Sequence, residues 1–199
     1  MRLSRSEAET QPCPDFPKEI QTERLVLRQW QESDRDAFAA INADPRVTEH
    51  FPSPATREES DELFDRIVAD IDRWGFGLYA VEISGTAQMA GFNGLIVPRF
   101  DEHFTPCVEI CWRLAFDTWG QGLATEGGRA ILNAVFERTE LTEIVAMTAL
   151  ENRRSERVMQ KLGMKRNPDD DFDHPLIDDE RLVRHILYRI TSAQFHHNP

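Results

Sequence analysis

Apolar and polar positions alternate over residues 20–30, where Leu25 and Leu27 are set against Arg24, Val26 and Arg28, and this period of two predicts a strand. Ser33 with Asp36 then makes a capping-box pattern ahead of Ala37, Phe38 and Ile41, which share one helical face, and Asp44-Pro45 ends that helix. Thr56 with Glu59 repeats the pattern before Leu63, Phe64, Ile67, Val68, Ile71 and Trp74 at helical spacing, with Gly75 and Gly77 as the stop. Strands are predicted at 78–83, 89–97 and 108–114, with Gly85 in the first turn and a polar connection over 99–106. Residues 122–138 read as a helix whose inner side carries Leu123, Ile131, Ala134 and Val135. Residues 144–150 are apolar on both faces, as in a buried central strand. A short helix over 155–162 stops at Gly163, a long acidic loop follows, and 184–190 closes the order as a strand, with one more short strand near Met164. The order β-α-α-β-β-β-α-β-α-β mixes antiparallel meanders with one βαβ crossover, so the fold class is α+β.

The chain of 199 residues fits one domain and is long enough to bury a sizeable core. Residues 1–18 are polar and hold three prolines, and they read as a flexible leader; 19–191 is the expected domain and 192–199 a tail. The leader lacks the apolar core of a signal peptide, and no apolar run is long enough for a transmembrane helix. Three cysteines, Cys13, Cys107 and Cys111, form no CxxC pair, which argues against a disulfide framework or a zinc site and suits a reducing cytoplasm. None of the six histidines shows a metal-ligand spacing, so no metal is expected. A formal charge of −12 disfavours nucleic acid as a partner and would favour a cationic substrate, although it also serves solubility alone.

The chemically informative stretch is Glu109 to Glu126, EICWRLAFDTWGQGLATE. A strand runs into Gly120-Gln121-Gly122, which opens a helix. Such a helix start has unpartnered amides and a positive dipole end, and glycine lets a ligand come close to the backbone. The pattern lacks GxxxxGK[ST] and the dinucleotide GxGxxG context, and by itself it also suits a plain tight turn. Within VEICW, Glu109 is a candidate general base: the strand period puts it on the face of Cys111 and Arg113, opposite Val108, Ile110 and Trp112. The alternative is a structural carboxylate paired with Arg28 or Arg113.

Trp119-Gly120-Gln121-Gly122-Leu123-Ala124 resembles the pyrophosphate-binding motif Q/R-x-x-G-x-G/A of the GNAT N-acetyltransferases, with Trp119 in place of the usual first residue. WGQGLATE, the opening ERLVLR at Glu23 to Arg28, and Asn152-Arg-Arg-Ser155 followed by VMQKLGM are similar to the branch containing the ribosomal-protein alanine N-acetyltransferases. The resemblance runs from about Ile20 to Ile190. It implies a central mixed, mostly antiparallel sheet with splayed strands flanked by helices, and acetyl-CoA as co-substrate. The acceptor would be a primary amine, a small molecule or a peptide N-terminus. Carried over by position, the backbone of Trp112, Arg113 and Leu114 would hold the pantetheine. The pyrophosphate would sit at Gly120, Gln121, Gly122, Leu123, Ala124 and Thr125, and Asn152 would bond the pantetheine from across the cleft. Many members place a tyrosine on the last helix to protonate the leaving thiolate, and Met159 stands there. Ser155, one turn earlier, is the substitute hydroxyl, or else an ordinary first-turn residue behind Asn152. A non-catalytic acyl-CoA-binding module of the same fold is the alternative function, and a homodimer is common in the class. The acidic stretch PDDDFDHPLIDDE, residues 168–180, is either a solvated loop or a set of charges, Asp169, Asp170, Asp171 and Asp173, that steer a cationic acceptor.

Overall fold

The computed structural model describes residue 13, residues 16–86 and residues 88–197. Its strands are β1 (Glu19–Gln21), β2 (Leu25–Arg28), β3 (Leu78–Ile83), β4 (Gln88–Ile96), β5 (Glu109–Leu114), β6 (Glu143–Ala149), β7 (Lys165–Arg166), β8 (Phe172–Asp173) and β9 (Arg184–Thr191). Its helices are α1 (Arg35–Ala43), α2 (Arg57–Trp74), α3 (Leu123–Arg138), α4 (Arg153–Lys161) and α5 (Ser192–His197). The sheet runs β1-β2-β3-β4-β5-β6-β9-β7, with β8 also on β9. All its pairs are antiparallel except β5 with β6, which the α3 crossover joins in parallel.

Alternation along each strand divides the core between the two faces. Leu25, Leu27, Tyr79, Val81, Ile110, Ile144, Ala146, Ile186 and Tyr188 face α3, α4 and α5, where Leu123, Ile131, Val135, Met159 and Phe195 meet them. Leu78, Met89 and Phe92 face the other way, onto Phe38 of α1 and Phe64 and Ile67 of α2. Val145 and Leu187 on that same opposite face are covered by Phe104 and Phe172. The central strand β6 is therefore buried on both sides, as its unbroken apolar run requires.

Three sequence expectations change. The strand expected over 20–30 is the hairpin β1-β2, because Thr22 turns the chain: its hydroxyl oxygen accepts the Leu25 N–H at 2.9 Å. The cap before α1 uses neither Ser33 nor Asp36. Asp34 accepts the Gln31 N–H at 2.8 Å and both terminal nitrogens of Arg28, while Asp36 pairs with Arg57. Thr56 and Glu59 do form their reciprocal cap on α2. The packed body also extends beyond 19–191. Phe16 is buried against Phe76 and Tyr79, and the Cys13 N–H donates to Trp74 C=O, so the expected leader of 1–18 joins the core at its end; residues 1–12, 14 and 15 lie outside the described residues. At the other end, residues 192–197 are helical and Phe195 is buried on Phe136.

Candidate active site

The β5–β6 pair is joined by a single register point, Glu109 with Val145, supported by the Val145 N–H donating to Val108 C=O at 3.0 Å. Past it, β5 stays on β4 through Trp112 and Leu114, while β6 follows β9 to Ala149. The two strands diverge, and the facing backbone edges between them have no ladder partner. A sheet edge of this kind accepts an extended ligand as an added strand.

The wide end of the gap leads to α3. Gly122 precedes the helix in the left-handed region, at φ 83°, and no side chain caps the helix. The first intrahelical bond is from Glu126 N–H to Gly122 C=O, so the amides before it have no partner in the helix. A Cβ at Gly120 would meet nothing within 4 Å, and one at Gly122 would meet only Arg24 Nη2 at 3.7 Å. The space over the loop is therefore open, and the amides around Gln121 to Thr125 suit an anionic phosphate.

Arg24 braces this loop, a role the sequence alone did not reveal. Its guanidinium donates to Gln121 C=O at 2.9 Å and to Glu126 at 2.7 Å, and Thr22 Oγ1 donates to Glu126 at 2.6 Å. Burial would raise the Glu126 carboxyl, but the bonds from Thr22 and Arg24 bring it below the ordinary value. The signal was present in two stretches that read as separate motifs, ERLVLR and WGQGLATE; the fold joins them through these bonds. From β4, Asn93 Nδ2 donates to Ala124 C=O at 3.0 Å and ties the first turn of α3 to the sheet.

Glu109 lies at the narrow end of the gap and is 7% exposed. Burial pushes its carboxyl from 4.5 up to about 8, against the opposing effect of a hydrogen bond from the Met147 backbone on the diverging strand. Neither arginine considered as its partner pairs with it. Arg28 is held by Asp34 and Glu82, and Arg113 donates to Asn42 Oδ1 at 2.6 Å. An unpaired carboxyl poised near neutrality is suited to accept a proton.

Asn152 and Ser155 meet at the start of α4 on the β6 side. Asn152 Oδ1 accepts the Ser155 N–H, and its Nδ2 donates to Thr148 Oγ1 at 2.9 Å and to Ser155 Oγ at 3.2 Å. The Asn152 side chain is thus largely committed to capping. Ser155 Oγ receives a hydrogen bond, which leaves its own O–H to donate elsewhere. Met159 is buried in the core, and the chain's two tyrosines are both engaged, Tyr79 with Pro17 C=O and Tyr188 with Glu156. Trp119 donates its indole N–H to Leu114 C=O at 2.8 Å, so one of the backbone groups expected for pantetheine already has a partner. The Trp119 ring lies under Arg154, which pairs with Glu49 from the α1–α2 connection.

The acidic stretch is not a set of free charges. Asp170 pairs with Arg189, Asp171 with Arg166, and Asp173 with Arg184, so three of the four aspartates considered for steering are offset by arginines. His185, tilted against the rings of Phe172 and His174, is pushed by burial down to about 4. No group of three or more potential metal-ligating side chains occurs among the described residues, and no helix there is long and apolar enough to cross a membrane.

Comparison with known proteins bears on the family and the fold. A family profile described as an acetyltransferase (GNAT) domain matches residues 24–165. An uncharacterised N-acetyltransferase of Bacillus subtilis, YnaD, is 28% identical over 148 residues, covering 74% of this chain and 82% of the relative. A GNAT-family acetyltransferase structure from Bacillus anthracis superposes with a TM-score of 0.72 at 25% identity, covering 88% of this chain and 99% of that one. The spermidine N-acetyltransferase of Vibrio cholerae, solved with CoA and spermine, shares the fold at a TM-score of 0.68 and 16% identity, covering 88% of this chain and 99% of that one. With the profile spanning most of the chain, this protein belongs to the GNAT acetyltransferase family.

Proposed function

We propose that this chain transfers the acetyl group of acetyl-CoA directly to a primary amine, a small molecule or a protein N-terminus. The observation that carries the reading is the placement of Glu109: a buried, unpaired carboxyl at the narrow end of a strand gap whose wide end opens on the uncapped start of α3. The amides around Gln121 to Thr125 would take the pyrophosphate, the free edge of β5 beyond Cys111 would take the pantetheine, and the thioester would then lie beside Glu109. Fold likeness to an enzyme solved with CoA and a polyamine supports the same direction.

In the proposed step the amine nitrogen attacks the thioester carbonyl carbon, and Glu109 accepts the proton the amine gives up, directly or through water. The carbon–sulfur bond then breaks with its electron pair on sulfur. The Ser155 O–H, at the positive end of α4, hydrogen-bonds the departing thiolate; a serine is too weak an acid to give its proton away outright. A second reading, an acyl-CoA-binding module without turnover, draws on Met159 standing where a proton-donating tyrosine is expected.

Thiol release from acetyl-CoA with a panel of primary amines tests the proposal. Amine-dependent release supports it; tight CoA binding with no release for any amine would establish the module instead. Within the active enzyme, Ser155→Ala is expected to lower kcat by about tenfold to a hundredfold, the worth of a hydrogen bond to a charged group, with little change in CoA affinity. Unchanged turnover would reduce Ser155 to a helix-start residue.

A further inference from the structure

On the α1–α2 face of β5, the strand that also carries Glu109, lies a cavity of about 350 Å³. Its inner wall is Arg113 with Asn42, and its apolar sides are Phe51 and Leu63. Arg113 is an unusual cation in this protein. Arg24 has Glu126, Arg28 has Asp34 and Glu82, and Arg166 has Asp171. Arg113 has only the neutral amide of Asn42, and its Nε is shielded from solvent with no hydrogen-bond partner. The guanidinium is held over the Phe51 ring at 4.2 Å and near the Phe92 ring at 5.4 Å, which orients its remaining donors. Removal from water costs a charge dearly unless a counter-ion joins it. Burial accordingly pulls the Arg113 pKa down to about 10, which still leaves it charged at neutral pH.

The carboxylates nearest the cavity do not fill this need. Glu59 is used in capping α2, where it accepts the Thr56 N–H at 2.8 Å, and Glu62 lies exposed at the rim with Arg66. A planar guanidinium with free donors binds a carboxylate through paired hydrogen bonds. Arg113 and Glu109 project from the same face of β5, four residues and thus about 13 Å apart along the strand. An anion resting on Arg113 would direct the rest of its molecule along that face toward Glu109.

We propose that Arg113 is a specificity residue for the acceptor, and that the acceptor is an amine that also carries a carboxylate. This inference rests on the acetyltransferase reading for its amine end; the carboxylate end stands on the cavity and its unpaired arginine.

The test uses matched acceptors differing only in that charge: alanine, 4-aminobutyrate and 6-aminohexanoate, each against its own primary amide. The wild-type protein is expected to favour at least one acid over its amide by about tenfold or more in kcat/KM. Arg113→Gln should bring that ratio near one. Asn42→Asp gives Arg113 an internal counter-ion without removing it, and should do the same, which keeps the test open if the first variant folds poorly. Turnover of amines with no acid preference in the wild type would overturn the inference and leave the acetyltransferase reading standing. Were no amine acetylated, calorimetry of the acids on the CoA-loaded protein would decide separately. Binding that Arg113→Gln abolishes would uphold the carboxylate site while the enzyme reading fails, and absence of binding would sink both.

Discussion

Glu109→Gln is expected to lower kcat/KM for an amine acceptor by about a hundredfold or more at pH 8, the usual worth of a positioned base. The pH profile carries the sharper information. Because burial raises the Glu109 carboxyl to about 8, the wild-type rate should fall as pH drops through that value and the base takes up its proton. The variant has no such group and should lose this inflection, so the gap between the two proteins narrows toward acid pH. The same shift predicts a stability effect of the opposite sign. A carboxyl whose folded value lies above its unfolded value of about 4.5 holds its proton more tightly when folded, so its contribution is fully present below pH ~4.5 and is lost as pH rises to about 8. Above pH 8 the wild type carries a buried charge that glutamine does not. Relative to the wild type, Glu109→Gln should therefore gain on the order of a few kcal/mol between pH 4 and pH 9. Rates across pH 6–10 and urea unfolding at both extremes measure the two effects. Parallel rate profiles would remove Glu109 from the mechanism, and parallel stability curves would show that it titrates normally.

Gly122→Val is expected to weaken acetyl-CoA binding by about tenfold to a hundredfold, equivalent to about 1–3 kcal/mol of backbone strain. At φ 83° a β-branched residue is strained wherever its side chain points, and relief requires the chain to rotate. That rotation would carry the amides that open α3 off their shared aim. The added side chain would also enter the open space above the loop, where the nearest protein atom is Arg24 Nη2 at 3.7 Å. Gly85 offers a control. It too has a left-handed φ, 79°, and open space at its Cβ, but it lies in the β3–β4 turn away from any helix start. Gly85→Val should cost comparable stability and leave CoA affinity alone. Calorimetric titration of both variants with CoA, alongside their melting curves, separates strain from ligand contact. Equal affinity in the Gly122 variant and the wild type would place the pyrophosphate elsewhere.

Local patterning determined much of this protein. The two helices before β3, the α3 crossover and the buried strand β6 follow from periodicities of 3.6 and 2, which are properties of neighbouring residues along the chain. The α+β class and the glycine turn before α3 were legible for the same reason, and likeness of three short motifs named the family before any contact was known. The 20–30 stretch was misread as one strand because Thr22 turns the chain with a side-chain bond, and a polar residue in an alternating run does not announce that choice. The cap before α1 is made by Gln31 and Asp34, two residues upstream of the Ser33–Asp36 pair, and Asp34 is further held by Arg28 on β2, a partner that local spacing does not reveal.

What only the tertiary structure decided is how distant residues dispose of their charges. From sequence, Glu109 stood equally as a base or as the partner of Arg28 or Arg113; packing gave Arg28 to Asp34 and Glu82 and Arg113 to Asn42, and left the carboxyl in a buried gap with a backbone hydrogen bond from Met147 and neither arginine as a partner. The acidic loop looked like a run of free negative charge until Arg166, Arg184 and Arg189 were brought against it. Arg24 lies 102 residues from Glu126, and only the sheet puts the two in contact to brace the α3 loop. Secondary structure can be read from a chain because it depends on short-range repetition. The ionisation of a buried group cannot, because it is set by burial and by counter-charges that folding brings together from far along the chain.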